Sequence, residues 1–156
     1  LLDERRSIES LHAALLAADS ATSVLEAFFG AVTVQRRAAP PSPNDGLHER
    51  LRLSPDDVLR HRAVWLLAGD KTLSQAELWY VANRLPAEQV QRLEESNTPF
   101  GRLMKPIGLK RTVLEARLCP AEDECALTHR ALLTAPSGLP VAEVYERYSK
   151  ALFATS

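Results

Sequence analysis

The sequence predicts an α+β fold: a single antiparallel sheet of about six strands with helices packed on one side. Three observations predict it. Apolar residues alternate at Val64 and Leu66 and again at Leu78 and Tyr80, with the turn signal Gly69-Asp70 between them, as in two antiparallel strands. Further strand-like runs at 110–118, 126–134 and 141–148 follow, the last two joined by the turn Pro136-Ser137-Gly138. Helical spacing is confined to the amino-terminal part and to an interruption after Pro86. Successive strands with short connections pair antiparallel, and the helices then gather on one face.

Taken in order, residues 3–18 place Ile8, Leu11, Leu15 and Leu16 at helical intervals between charges, an amphipathic helix for packing on the body. Asp19 or Ser20 can cap a second helix, whose apolar face is Val24, Leu25, Phe28 and Phe29 and which Gly30 ends. Residues 31–35 form a short strand, with Arg36 and Arg37 at its end expected to face water. The proline-rich segment 38–46 reads as an extended loop, either a lid or a surface insertion. Residues 47–53 are a brief turn or strand, and Ser54-Pro55-Asp56-Asp57 opens the hairpin. Pro86 suits the first turn of a helix carrying Val90 and Leu93, Asn97-Thr98-Pro99 ends it, and Phe100 begins a short element that Pro106-Ile107-Gly108 breaks.

A chain of 156 residues with 46% hydrophobic content is read as one domain, 1–156, with one real core. The net charge of −1 points away from nucleic acid and anionic membranes, so anion recognition must be local. No apolar run approaches the roughly 20 residues that cross a bilayer, and the start lacks a basic region followed by an apolar core, so a cytoplasmic monomer is expected. Cys119 and Cys125 are expected as reduced thiols, and two cysteines fall short of a structural zinc site, so no metal and no cofactor are expected.

Phosphate loops, HExxH and GxSxG are missing from the sequence. What remains are charges inside apolar strands: Arg62 before AVWLL, His129 and Arg130 before ALL, and Glu146 in VAEVYERY. A charge in a half-buried strand is costly unless it meets a partner or ligand. Residue chemistry alone leaves Arg62, His129 and Arg130 either solvated or facing a ligand, and Glu146 either in a site or in a salt bridge. Trp65 and Trp79 read as core.

The ordered segments AELWYVANRLPAEQVQRLEESNTPFGRLM, VYERYSKALF and DSATSVLEAFFG resemble the chorismate lyase family (chorismate pyruvate-lyase, or 4-hydroxybenzoate synthase), in particular its divergent actinobacterial branch. The resemblance implies a chorismate lyase-like fold and cofactor-free removal of pyruvate from chorismate to give 4-hydroxybenzoate. It places Arg62 on the strand arginine that grips a substrate carboxylate and Glu146 on the acidic residue of the final strand, with Glu143 as fallback. Phe100 stands where the family has a pocket-lining Leu, and Gly101 keeps the adjacent turn. Ala76 and Ala21 replace Gly and Met of the best-known branch, and His129 and Arg130 match a basic pair before the penultimate strand. In that mechanism Arg62 and Arg130 would hold the two carboxylates, and Glu146, kept neutral by burial, would act as general acid.

Two other readings accompany it. One is a biosynthetic enzyme on the same scaffold with a different small carboxylate substrate, which the changes at Ala76, Ala21 and Phe100 suggest. The other is a non-catalytic small-ligand module related to GntR-type effector domains. The few residues ahead of the first strand, too few for a winged helix, are expected to weigh against an intact regulator.

Overall fold

The computed structural model describes residues 2–153, with side chains described from residue 7 onward. Two helices come first, α1 (Leu2–Ala17) and α2 (Ala21–Phe29). Ser20 caps α2, its Oγ accepting from the Ser23 N–H at 3.3 Å, and Gly30 closes it at φ 91°, where a side chain would be strained. After β1 (Val32–Arg36) and the single helical turn α3 (Leu47–Arg50) come the long hairpin strands β2 (Leu59–Ala68) and β3 (Lys71–Val81). Gly69, at φ 63°, makes the turn between them.

Past Pro86 the chain changes period. Helix α4 (Ala87–Glu95) buries Val90 and Leu93, and Pro99 leads into α5 (Phe100–Leu103). Three strands complete the fold: β4 (Lys110–Leu118), β5 (Cys125–Thr134) and β6 (Pro140–Ser149).

All six strands form one antiparallel sheet in the order β1-β2-β3-β6-β5-β4. The fold class is the one the pattern predicts. Helices α1, α2, α4 and α5 lie on one face, over two apolar clusters, one centred on Leu11, Leu15, Leu25 and Leu127 and the other on Leu78, Leu93, Met104 and Val141. On the back face, Leu47 and Leu51 pack against Trp79 and Val81. Trp79 is core as expected, whereas Trp65 is only half-buried, with the Arg37 guanidinium 5.5 Å from its ring centre.

One open alternative is decided and two local expectations are corrected. Segment 38–46 is no lid over the helix-covered face. It is held to the back face, where Glu77 Oε1 accepts from the Ser42 N–H and Glu143 Oε2 from Asn44 Nδ2. Arg36 does not simply face water, because it donates to the carbonyls of Leu93 and Glu94 at the end of α4. Cys119 and Cys125 are joined in a disulfide across the start of the β4–β5 hairpin, where antiparallel pairing brings their Cα atoms to 5.9 Å, within bridging range.

Candidate functional site

Side chains alternate between the faces of a strand, so register decides which charges meet. Arg62 pairs with Leu78, which pairs with Val144, and Val64 pairs with Ala76, which pairs with Glu146. These residues therefore share the helix-covered face. Arg62 and Glu146 stand two strands apart, roughly 10 Å, and two residues out of line, roughly 7 Å.

Between this face and α2 and α5 lies a cavity of about 1070 Å³. Its walls are mainly apolar, with Val64, Leu78, Val144, Leu133, Phe100 and Met104, and Ala76, Ala21 and Gly101 line it too. Among the described residues five cationic side chains border it: Arg62, Arg102, Lys105, Lys110 and Arg111. Arg102 is engaged by Glu26 and by the Val32 carbonyl.

Arg62 is 9% exposed and donates from Nη1 to the Leu93 carbonyl at 3.0 Å, while its Nε and Nη2 have no hydrogen-bond partner among the described residues. Burial, with the nearby Arg36 charge, pulls this guanidinium down to about 10. Arg111 repeats the arrangement. It is 9% exposed, donates from Nη1 to the Leu15 and Ala18 carbonyls, and again has Nε and Nη2 without a partner among the described residues. Nε and Nη2 form one edge of the guanidinium plane, the edge that meets a carboxylate or phosphate with two parallel N–H bonds.

Glu146 is 3% exposed and accepts from Tyr148 Oη at 2.7 Å. Burial raises its carboxyl above the ordinary range, against the Tyr148 hydrogen bond and the Arg111 charge. A neutral carboxyl in the cavity wall can donate as well as accept a hydrogen bond. His129 pairs with Glu146 across β5 and β6 but does not line the cavity. It lies with its Nε2 3.0 Å from His12 Nδ1 of α1, and burial followed by the His12 and Arg111 charges lowers it to about 4, so the ring is neutral.

Arg130 and Glu143 are on the other side of the sheet. Arg130 pairs with Tyr145, lies 4.7 Å from that ring's centre, and donates to Glu143 at 3.0 Å. Glu143 is fully buried and also accepts from Arg50 and Asn44. Burial alone would raise its carboxyl, but these hydrogen bonds outweigh it and hold the group below its ordinary range. The expectation that Arg130 holds a ligand carboxylate beside Arg62 is therefore corrected, and Glu143 cannot substitute for Glu146. Both miss by one residue of register, which moves a side chain through the sheet.

The structure thus brings Ala21, Arg62, Ala76, Phe100, Gly101 and Glu146 to one cavity and leaves His129 and Arg130 outside it. Sequence reading missed Arg111. Its signal was an arginine two positions before Val113 in a strand, obscured because the β4–β5 register shifts between Val113 and Glu115.

Compared with known proteins, the chain is 29% identical over 177 residues to the uncharacterized protein y4mC of Sinorhizobium fredii (strain NBRC 101917 / NGR234), covering 91% of this chain and 73% of that protein. No family model matches. Among solved structures it superposes on PhnF from Mycobacterium smegmatis with a TM-score of 0.60 at 11% identity, over 86% of this chain and 65% of that one. The separately solved effector domain of PhnF gives 0.58 at 12% identity, over 84% and 88%. A possible transcriptional regulator, YydK from Bacillus subtilis subsp. subtilis str. 168, gives 0.54 at 16%, over 80% and 61%. A GntR-family regulator from Enterococcus faecalis V583 gives 0.51 at 15%, over 81% and 94%. The chain therefore spans less than two thirds of PhnF and of YydK.

These matches overturn the assignment to the chorismate lyase family, since regulators and a regulator's effector domain are found in its place. Among the described residues no helix is long and apolar enough to cross a membrane. At these identities the likeness is one of fold, and the fold this chain shares is that of the effector domain of PhnF and of the regulators beside it.

Proposed function

We propose that the chain is a small-ligand-binding module of the GntR effector type whose cavity takes an organic anion. The observation that carries this is Arg62, a buried cation in the lining of a mainly apolar cavity of about 1070 Å³, whose Nε and Nη2 edge is left without a partner among the described residues. Burying a charge without a partner costs several kcal/mol, roughly, so a fold that retains one has a use for it. A carboxylate docked on that edge gains a paired, charge-assisted contact in a dry setting, while Val64, Leu78, Phe100 and Met104 receive the apolar body of the ligand.

Calorimetric titration of benzoate and succinate, with benzamide as the neutral control, tests this. The acids bind and the amide does not, and Arg62→Met weakens the acids about tenfold or more. Equal affinity for benzoate and benzamide, or an unchanged Arg62→Met, refutes it. The buried Glu146 favours a second reading, an enzyme that uses this carboxyl as a general acid on a small carboxylate. For a ligand found to bind, chemical change that stops in Glu146→Gln supports the enzyme, and recovery of the ligand unaltered supports the binding module.

A further inference from the structure

Helix α1 is fastened to the sheet along one apolar face and at two polar points. Leu11 and Leu15 are fully buried in the cluster that includes Leu25 and Leu127. At one polar point Arg111 of β4 donates to the Leu15 and Ala18 carbonyls, at the end of the helix. At the other, His12 Nδ1 stands 3.0 Å from His129 Nε2 of β5, the two rings edge to face with their centres 5.0 Å apart. His129 is 1% exposed, and its second ring nitrogen, Nδ1, has no hydrogen-bond partner among the described residues. His12 is half-buried, so water reaches the pair from the helix side. Just past α1, Ala18, Asp19 and Ser20 line the helix-covered cavity.

Two ring nitrogens at this distance form a hydrogen bond only while one carries a proton and the other a lone pair. Two neutral rings meet that condition, and so does one charged ring beside a neutral one, where the bond is charge-assisted. A second proton leaves two N–H groups facing each other, one of them on a buried cation. The surrounding groups do not relieve this. From β4, Arg111 adds a like charge. From β6, Glu146 pairs with His129 across the strands, but its carboxyl is favoured neutral and is bonded to Tyr148. On α1 itself, Glu9, one turn before His12, is solvent-exposed. We propose that the His12–His129 contact is a proton-operated latch: it holds α1 on the sheet with no proton or one added to the pair, and releases the helix when both rings are charged. Burial, then the His12 and Arg111 charges, lowers His129 to about 4, so the latch is shut at neutral pH and opens in acid. Release draws Ala18, Asp19 and Ser20 away with the helix and opens the cavity at that end, whichever ligand the cavity takes.

Amide hydrogen exchange of the whole chain, corrected for the intrinsic pH dependence of exchange, tests the latch. The readout is the ratio of α1 protection at about pH 7 to that at about pH 4, taken within each protein so that a general change in stability cancels. In the wild type this ratio should be about tenfold or more for α1, with the amides of β3 and β6 still protected at the lower pH. In His129→Gln, which keeps a polar side chain and cannot take the proton, the α1 ratio should fall close to one. His12→Gln, on the half-buried partner, should do the same, and it decides the matter if His129→Gln does not fold. Three results overturn the proposal: a wild-type ratio near one, a parallel loss of protection in α1 and the sheet, or a ratio as large in the folded variants as in the wild type. The first would leave α1 held in acid, the second would make the titration one of global stability, and the third would place the responsible proton elsewhere.

Discussion

Arg62 is held by one nitrogen and is without a partner among the described residues at the other two, an arrangement that costs the empty fold stability. Replacing it with Met removes a buried charge that the ligand-free protein leaves partly unpaired, at the loss of one hydrogen bond to Leu93. We expect Arg62→Met to raise the stability of the empty protein by about 1–2 kcal/mol while weakening carboxylate binding, read as a higher urea midpoint with an unchanged slope. A purely structural arginine would show a lower midpoint. His129 makes a second test. Its folded value of about 4 lies below the ordinary 6.5, so between these values the unfolded chain binds the extra proton. Stability is therefore full above about pH 6.5 and falls as pH drops toward about 4, by roughly 3 kcal/mol in total. His129→Leu should flatten that part of the urea-midpoint profile. Glu146 has the opposite sign, since a raised carboxyl contributes stability that is lost as pH rises through its folded value. Arg62 and Glu146 could be read as site candidates from sequence because each interrupts an apolar alternation. Arg130 looked equivalent to them, and the difference is the face it occupies, which a single strand read alone does not disclose.

At the scale of elements, the back face is governed by Glu143. Arg50, Asn44 and Arg130 converge on this buried carboxylate, and through it α3 and segment 38–46 are fixed to β6. Removing one member of such a buried network leaves the others unpaired, at about 3–5 kcal/mol. Arg50→Met should make segment 38–46 susceptible to limited proteolysis while carboxylate affinity stays near wild type, because the cavity is on the other side of the sheet. If proteolysis and affinity changed together, the segment would be part of the site after all. The disulfide acts on a different element. It closes a loop with a sequence separation of 6 at the β4–β5 turn, which the chain-entropy relation values at about 2 kcal/mol. Reduction should lower the melting temperature and speed amide exchange in β4 first, since β4 is an edge strand paired only with β5. Turn residues and period changes made these elements legible in the sequence. The bridging of Cys119 and Cys125 was not legible, because the spacing fits a hairpin staple and two free thiols equally well.

For the molecule as a whole, the α+β class followed from runs of strands joined by short turns, and the hairpins β2–β3 and β5–β6 were readable from their glycine turns. The strand order was not. Nothing in local pattern says that β6 lies between β3 and β5, because that pairing depends on packing between residues such as Ala76 and Glu146, far apart in the chain. Resemblance in segments then favoured a family that the superpositions do not support, since similar strands and helix starts serve unrelated sites on one scaffold.

The central place of β6 also governs the order of assembly. Hairpins β2–β3, β4–β5 and β5–β6 can close locally, yet the two halves of the sheet stay apart until β6 pairs with β3. Loop closure between Val81 at the end of β3 and Pro140 at the start of β6 precedes that step, so folding should be slow for a protein of this size and cooperative at its end. Substitutions in β6 such as Val141→Ala should slow folding where those in β1 mainly speed unfolding, which stopped-flow measurements would resolve. The cavity, whose floor includes Val144 and Glu146, comes into being only at this final step, so an unfinished fold offers its ligand nothing to hold.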